Sequence, residues 1–291
     1  MEKLLLKCAA KLNLTLEVAS KRADGYHELG TIMHSVGVYD TVGVEKLPEK
    51  RVIVDCSEPL PENNTAKRAA ESFIAAKGCG GAKIRIEKGI PSEAGLGGAS
   101  ADAAAVFHAL SLLYGKLPEN ALFELGASVG ADVPFCLLGG CAFASGIGER
   151  LSPLPPLALP VLIVKQARGV STAALFASLD KSALLENGFV ETKKLRLAIE
   201  SGSADAKAVA PLIMNSLSAP AEVFAPEIAL LRKRLLDAGA LGAVMTGSGS
   251  AVFGIFSSLD EAKRADSAFS DCAFAAAAET VDAPFKIVSS L

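Results

Sequence analysis

Lys88-Gly89-Ile90-Pro91-Ser92-Glu93-Ala94-Gly95-Leu96-Gly97-Gly98-Ala99-Ser100-Ala101-Asp102 is the most informative stretch of this 291-residue sequence. It follows a cleanly alternating strand pattern at 83–87 and precedes a segment, 100–114, that is rich in Ala and Leu and free of Gly and Pro. The order strand, glycine-rich loop, helix is what matters. Glycines at 95, 97 and 98 let the backbone approach a bulky anion and adopt dihedrals closed to other residues. The new helix adds unpaired N–H groups and the positive end of its dipole, so oligophosphate binding has a physical cause. A tight strand-to-helix turn with no ligand uses the same glycines. No Gly-Lys-Ser/Thr follows, so this is not a Walker A loop. Ser100 caps the helix, ligates Mg²⁺ through its hydroxyl, or does both in different states.

Upstream, residues 12–18 alternate in part, and 42–45 and 52–54 are β-branched, so an early sheet is expected. Pro61-Glu62-Asn63-Asn64-Thr65 reads as a turn into a helix over 66–76, with Asn64 or Thr65 as N-cap and Gly78, Gly80 and Gly81 closing it. Downstream, Val106, Leu110 and Leu113 share one helical face, and Gly115 ends that helix. Pro118 opens another, to about Leu125, before Gly126 and Gly130 break the pattern. Residues 139–148 return to extended structure.

Three prolines in Ser152-Pro153-Leu154-Pro155-Pro156 favour an extended path and mark a boundary, giving expected domains at 1–153 and 154–291. The second contains a strand at 161–165 and helical patterns at 172–179, 191–200 and 226–238. Two strands then flank Thr246-Gly247-Ser248-Gly249-Ser250, a helix covers 259–269, and a last strand covers 285–288. The near-alanine tract 273–278 carries no assigned role, and no internal repeat is present. The expected class is α+β, not a βαβ repetition.

Charge and cysteines narrow the function. The 29 Lys and Arg against 32 Asp and Glu leave a net −3 without blocks of either sign, which argues against a nucleic-acid partner. An anionic ligand then needs local cations, and this directs attention to Lys11. Six cysteines at 8, 56, 79, 136, 141 and 272 form no CxxC pair, so reduced thiols and a cytoplasmic setting are expected. Lys7 and Lys11 interrupt the apolar start that would otherwise resemble a signal peptide. No apolar run approaches the ~20 residues of a membrane span, and nothing marks an obligate protein partner.

Ala10-Lys11-Leu12-Asn13-Leu14 precedes the loop, and Met245-Thr246-Gly247-Ser248-Gly249-Ser250-Ala251-Val252-Phe253 follows it. Together the three segments resemble, in order and across nearly the whole chain, the motifs of the GHMP kinases. The resemblance implies a two-domain α+β fold with the active site in the cleft between domains, ATP as phosphoryl donor, and Mg²⁺. Arg22-Ala23-Asp24-Gly25-Tyr26-His27-Glu28-Leu29 and Gly130-Ala131-Asp132-Val133-Pro134-Phe135 resemble one branch of that superfamily. Its members phosphorylate the 2-hydroxyl of a CDP-linked methylerythritol in the non-mevalonate isoprenoid route.

By this resemblance Asp132 is the catalytic base. Lys11 beside it keeps it ionised, orients the hydroxyl and offsets charge on the moving phosphoryl group. ATP is bound by Pro91, Ser92, Glu93, Ala94, Gly95, Leu96, Gly97, Gly98, Ala99, Ser100, Ala101 and Asn64. The acceptor is bound by Asn13, Tyr26, His27, Phe176, Gly247 and Ser248. Tyr26 and Phe176 sandwich the cytosine, and His27 reads its edge. Ser100 is the candidate Mg²⁺ ligand. Each also has an ordinary structural reading: Asp132 as a helix or turn cap, Asn13 and Asn64 in turns or caps, Lys11 at a strand edge, His27 as a hydrogen-bonded structural residue, Tyr26 and Phe176 in an apolar core, Thr246 to Ser250 as a β-turn. Two departures stand out. Ala99 and Ala101 replace the Gly or Ser frequent in relatives, and Cys8-Ala9-Ala10 replaces a proline-containing lead. The alternatives are another acceptor, such as homoserine, a sugar or a mevalonate derivative, or a non-catalytic sensor.

Overall fold

The computed structural model of the chain describes residues 1–179 and 188–290. It opens with two long antiparallel strands, β1 (Lys3–Lys21) and β2 (His27–Leu47), followed by β3 (Val52–Cys56), helix α1 (Thr65–Lys77) and β4 (Gly81–Glu87). The expected strands at 12–18 and 42–45 are only parts of the first two. From Cys8 to Val18 every residue of β1 is buried, so both faces are covered, and the polar residues that alternate with Leu12, Leu14 and Leu16, Asn13 and Thr15 among them, are buried through hydrogen bonds and not exposed.

Next come α2 (Gly98–Tyr114), α3 (Glu119–Val129), α4 (Val133–Leu138), β5 (Cys141–Gly146) and β6 (Arg150–Leu154). Helix α2 buries far more than the expected stripe, because alanines around its whole circumference let it sit against α1 and the sheet. Helix α3 continues past Leu125 to Val129, since Gly126 is buried close to Val133 and Leu137 and packing outweighs its poor propensity. Part of the expected linker, Ser152-Pro153-Leu154, is instead strand β6. Among the described residues that strand pairs only with β5, and an edge tolerates proline.

The rest of the chain adds β7 (Pro160–Lys165), α5 (Thr172–Leu179), α6 (Val190–Glu200), α7 (Ala206–Val209) and β8 (Met214–Asn215). It ends with α8 (Ser218–Phe224), α9 (Glu227–Asp237), β9 (Gly242–Met245), β10 (Val252–Ile255), α10 (Leu259–Asp266), β11 (Phe274–Glu279) and β12 (Phe285–Ser290). The alanine tract is thus a strand.

One sheet runs β12-β1-β2-β4-β3, with β5 on the other half of β2, β6 beyond it, and β8 parallel to β1; the second runs β11-β7-β10-β9. A cut at 153/154 therefore leaves β8 and β12 of the later chain inside the first sheet. The main core reflects this, joining Leu6, Leu12, Phe73 and Phe107 to Leu159, Ile163 and Phe253. A second core lies between the second sheet and α5, α8, α9 and α10, around Leu162, Leu175, Leu231 and Phe269.

Candidate active site

The three ordered motifs meet at the glycine-rich loop through backbone bonds. Lys11 N donates to Leu96 O at 2.9 Å, while Ser250 N and Ala251 N donate to Glu93 O and Ala94 O, each at 3.2 Å. The buried Thr246 hydroxyl joins all three: it accepts from Asn13 N at 3.0 Å and donates to Gly95 O at 3.4 Å. Gly95 has φ +71°, and a Cβ there would lie 2.1 Å from Thr246 O, so only glycine fits. Asn215, which the sequence reading missed, fixes the third motif by donating to Met245 O and Gly247 O, both at 2.8 Å. Its partners are far along the chain, and no local pattern announces them.

Helix α2 begins two residues earlier than the sequence suggests. Gly97 occupies its N-cap without any side-chain bond, and Ser100 N already donates to Gly97 O at 3.0 Å. Ser100 is therefore not the cap, and its hydroxyl is left to the cavities. The first amides of the helix have no intrahelical acceptor and suit an anion.

Two cavities share this loop as a wall. One, of about 750 Å³, is lined by Lys11, Asn13, Tyr26, His27, Phe176 and Asp132, together with Gly247 and Ser248. The other, of about 650 Å³, is lined by Asn64 and by every loop residue from Pro91 to Ser100. Gly95, Gly97, Ser100, Thr172 and Ser248 border both. Ala101 borders neither; it is buried in the core, and its N–H bonds to Gly97 O. Asn64 serves two purposes, since its Oδ1 caps α1 by accepting from Lys67 N at 2.9 Å.

In the larger cavity the rings of His27 and Phe176 lie 5.4 Å apart at 33°, and Tyr26, 61% exposed, stands at the mouth. At its floor Lys11, 4% exposed, points Nζ at Asn13 Oδ1 (2.6 Å) and at Asp132 Oδ2 (3.5 Å). Asn13 Nδ2 donates to Thr31 Oγ1 at 2.9 Å, so both ends of its amide are engaged. Gly97 lies directly over the lysine stem; a Cβ there would be 2.9 Å from Lys11 Cγ. Asp132 occupies the N-cap of α4 but makes no capping bond, which leaves its carboxylate facing Lys11 and the cavity.

A second charged cluster, also missed, braces the loop from below. Lys88 Nζ donates to Asp40 Oδ2 and, at 2.8 Å, to Asp102 Oδ2. Asp40 Oδ1 also accepts from Gly89 N and Ile90 N, both at 2.7 Å. Both ends of the loop are thus tied to β2. Burial pushes the Asp102 carboxyl up to about 7, Lys88 pulling against it and Asp40 pushing with it. Burial alone would lower Lys88, but Asp102 and Asp40 hold it above its ordinary value.

Among the described residues, no three His, Cys, Asp or Glu side chains gather as a metal site of their own. A Mg²⁺ carried by nucleotide phosphates needs only one or two protein oxygens, and the Ser100 hydroxyl, on the wall of both cavities, suits that.

Fold and site together are those of a GHMP kinase. Two family models match: GHMP kinases N terminal domain over residues 64–140, and GHMP kinases C terminal over residues 197–274. Within that class the chain belongs to the 4-diphosphocytidyl-2-C-methyl-D-erythritol kinase family. It is 42% identical to the protein of that name from Caldicellulosiruptor saccharolyticus, over 90% of this chain and 91% of that one. It is 40% identical to the one from Alkaliphilus metalliredigens, over 91% and 92%. A crystal structure of 4-(cytidine 5'-diphospho)-2C-methyl-D-erythritol kinase superposes with TM-score 0.79 at 36% identity, covering 95% of this chain and 98% of that one. The homoserine kinase from Cytophaga hutchinsonii also reaches 0.79, at 19% identity over 99% and 98%, and shows the shared fold alone.

Proposed function

We propose that the protein transfers the γ-phosphoryl group of ATP to the 2-hydroxyl of 4-diphosphocytidyl-2-C-methyl-D-erythritol. The observation that carries this is the position of Lys11 and Asp132 in a cavity walled by His27, Phe176 and Tyr26 and joined, across the glycine-rich loop, to a second cavity. The loop and the first turn of α2 hold the phosphates, with Asn64 on the far side. The cytosine enters beside His27 and Phe176, under Tyr26, which brings the sugar alcohol to the lysine–aspartate pair.

As the acceptor oxygen bonds to the γ-phosphorus and the bond to the bridging oxygen breaks, Asp132 takes the hydroxyl proton and ADP leaves. An Asp is a weak base for an alcohol, so its value lies in orientation and in accepting the proton late. Lys11 offsets charge on the moving group; Asn13, fixed by Thr31, aims the ammonium. Mg²⁺ held by the phosphates and the Ser100 hydroxyl would neutralise phosphate charge.

The reading extends to an ATP-binding first unit over 1–153, a second over 154–291, and a cytoplasmic setting. The last is supported by six unpaired thiols and, among the described residues, no helix long and apolar enough to cross a membrane. A coupled ADP-release assay tests it, comparing the CDP-linked acceptor with the bare methylerythritol and with homoserine. Turnover that depends on the cytidine group is expected; equal rates with all three would overturn the assignment.

A further inference from the structure

The acceptor wall that carries Tyr26 is a loop, and its position needs a cause. Residues 22–26 are closed by their own bonds: Arg22 N to Tyr26 O at 2.6 Å, Gly25 N to Arg22 O at 3.0 Å, and Tyr26 N to Asp24 Oδ1 at 3.1 Å. Arg22 Nε adds a bond to Asp24 Oδ2 at 3.1 Å. These give the loop a shape, and the pairing of Lys21 with His27 across β1 and β2 and of Leu29 with Gly146 across β2 and β5 sets where it leaves the sheet. Glu28, at the start of β2, provides a link outward. Its Oε2 accepts from Arg22 Nη1 at 3.1 Å, and its Oε1 accepts from Gly146 N at 3.0 Å.

Gly146 begins the turn between β5 and β6, and Ile147 and Gly148 of that turn line the acceptor cavity. The turn also lies near the catalytic carboxylate, since a Cβ added to Gly148 would come to 4.0 Å from Asp132 Oδ1. Glu149 stiffens it by accepting from Ile147 N at 2.7 Å. One carboxylate thus joins the loop bearing Tyr26 to the turn beside Asp132, with each oxygen assigned to one side.

We infer that Glu28 is a positioning residue for the acceptor, setting the distance between the cytosine-side wall and the catalytic end of the cavity. It touches no reacting atom, and its effect passes through Arg22 and Gly146. The inference rests on the acceptor reading of the larger cavity proposed above. Glu28's side chain is 34% exposed and Arg22's 30%, so their ion pair adds little to stability, and its loss should appear in substrate recognition. A misplaced wall costs binding geometry, for which a displacement of ~1 Å is enough to matter.

The test is steady-state kinetics of the full chain with ATP and the CDP-linked acceptor varied separately, for Glu28→Ala, Glu28→Gln and Arg22→Ala, with Tm measured alongside. Glu28→Ala is expected to raise the acceptor KM about tenfold, with the ATP KM within about twofold and Tm within about 2 °C of the parent. Glu28→Gln keeps an acceptor oxygen for Gly146 N and loses the charge facing Arg22, so it should fall between. Combined with Arg22→Ala, Glu28→Ala should cost less than the product of the single effects, because the two act through one contact. An unchanged acceptor KM in Glu28→Ala overturns the inference. So does a parallel rise of both KM values with a falling Tm, which would mark Glu28 as a general structural residue. A parent protein with no turnover of this acceptor overturns instead the function proposed above, and this inference with it.

Discussion

Asp132 stands at the N-cap of α4 with its side chain making no bond to the helix, and that side chain is 35% exposed on a cavity wall. A carboxylate placed for capping would accept from an amide two or three residues on; this one faces Lys11 Nζ across 3.5 Å. Asp132→Asn keeps the shape and removes the base. We expect kcat to fall about 10²–10⁴-fold while Tm stays within about 2 °C, since no structural bond is lost. Rapid-quench turnover and calorimetry check the two halves of that statement. Of this site, the residues alone suggested the anion loop and drew attention to Lys11 as a local cation, and the family resemblance gave Lys11 and Asp132 their roles. A lysine in an alternating strand reads locally as an edge residue; Lys11 is buried because the loop around Leu96 and Gly97 closes over it from far along the chain. The same distance hid Asn215 and the partners of Lys88.

At the scale of elements, the loop and α2 act as a unit held from two sides. From above, Gly95 lies against Thr246, so Gly95→Ala must either move the third motif or leave the left-handed region, at a cost of at least ~2 kcal/mol. The expected outcome is an ATP KM raised more than tenfold and a lower Tm, read by the coupled assay and thermal melts. From below, Lys88 serves two buried carboxylates. Unfolded, Asp102 titrates near ~3.9; folded, it is pushed up to about 7. Between those values the folded chain keeps a proton that the unfolded chain has released, so stability falls as pH rises through the window and the loss is complete above about 7. Lys88, held above its ordinary value, stays charged throughout. Asp102→Asn cannot ionise and should gain on the parent by of order 1 kcal/mol per pH unit from pH 4 to 7, then level off, in urea melts at each pH. Most helices were legible because caps and glycines punctuate them, Asn64 before α1 and Gly115 after α2 among them. β1 was legible over its alternating part, Leu12 to Val18; the run Cys8-Ala9-Ala10 before it, covered on both faces, carries no alternation to read.

At the scale of the molecule, the last strand returns to the first. β12 pairs with β1 from Leu4 to Cys8, Pro284 O accepts from Ala9 N at 2.9 Å, and the Phe285 ring stacks on His108 at 4.5 Å. The strand buries little itself, since Lys286 to Ser290 are exposed, so its contribution is a backbone ladder and the cover it gives to an edge. A chain ending at Ala283 leaves the N–H and C=O groups of β1 unpaired beside Leu4, Leu5 and Leu6. We expect its Tm to fall by about 5–10 °C and light scattering to grow with concentration, as an open edge recruits other copies. The transition should remain single in both chains. The main core takes residues from both sides of the expected boundary, Leu12 and Phe107 packing in one cluster with Leu159 and Phe253, so neither half keeps a closed core once the other unfolds. Calorimetry decides between this and the boundary that the prolines suggested. Two resolved peaks in the full chain would mean that the halves are thermodynamically separate; one peak, shifted down by the truncation, would mean that the cleft is formed by a single cooperative body in which the phosphate loop and the third motif cannot part without general unfolding.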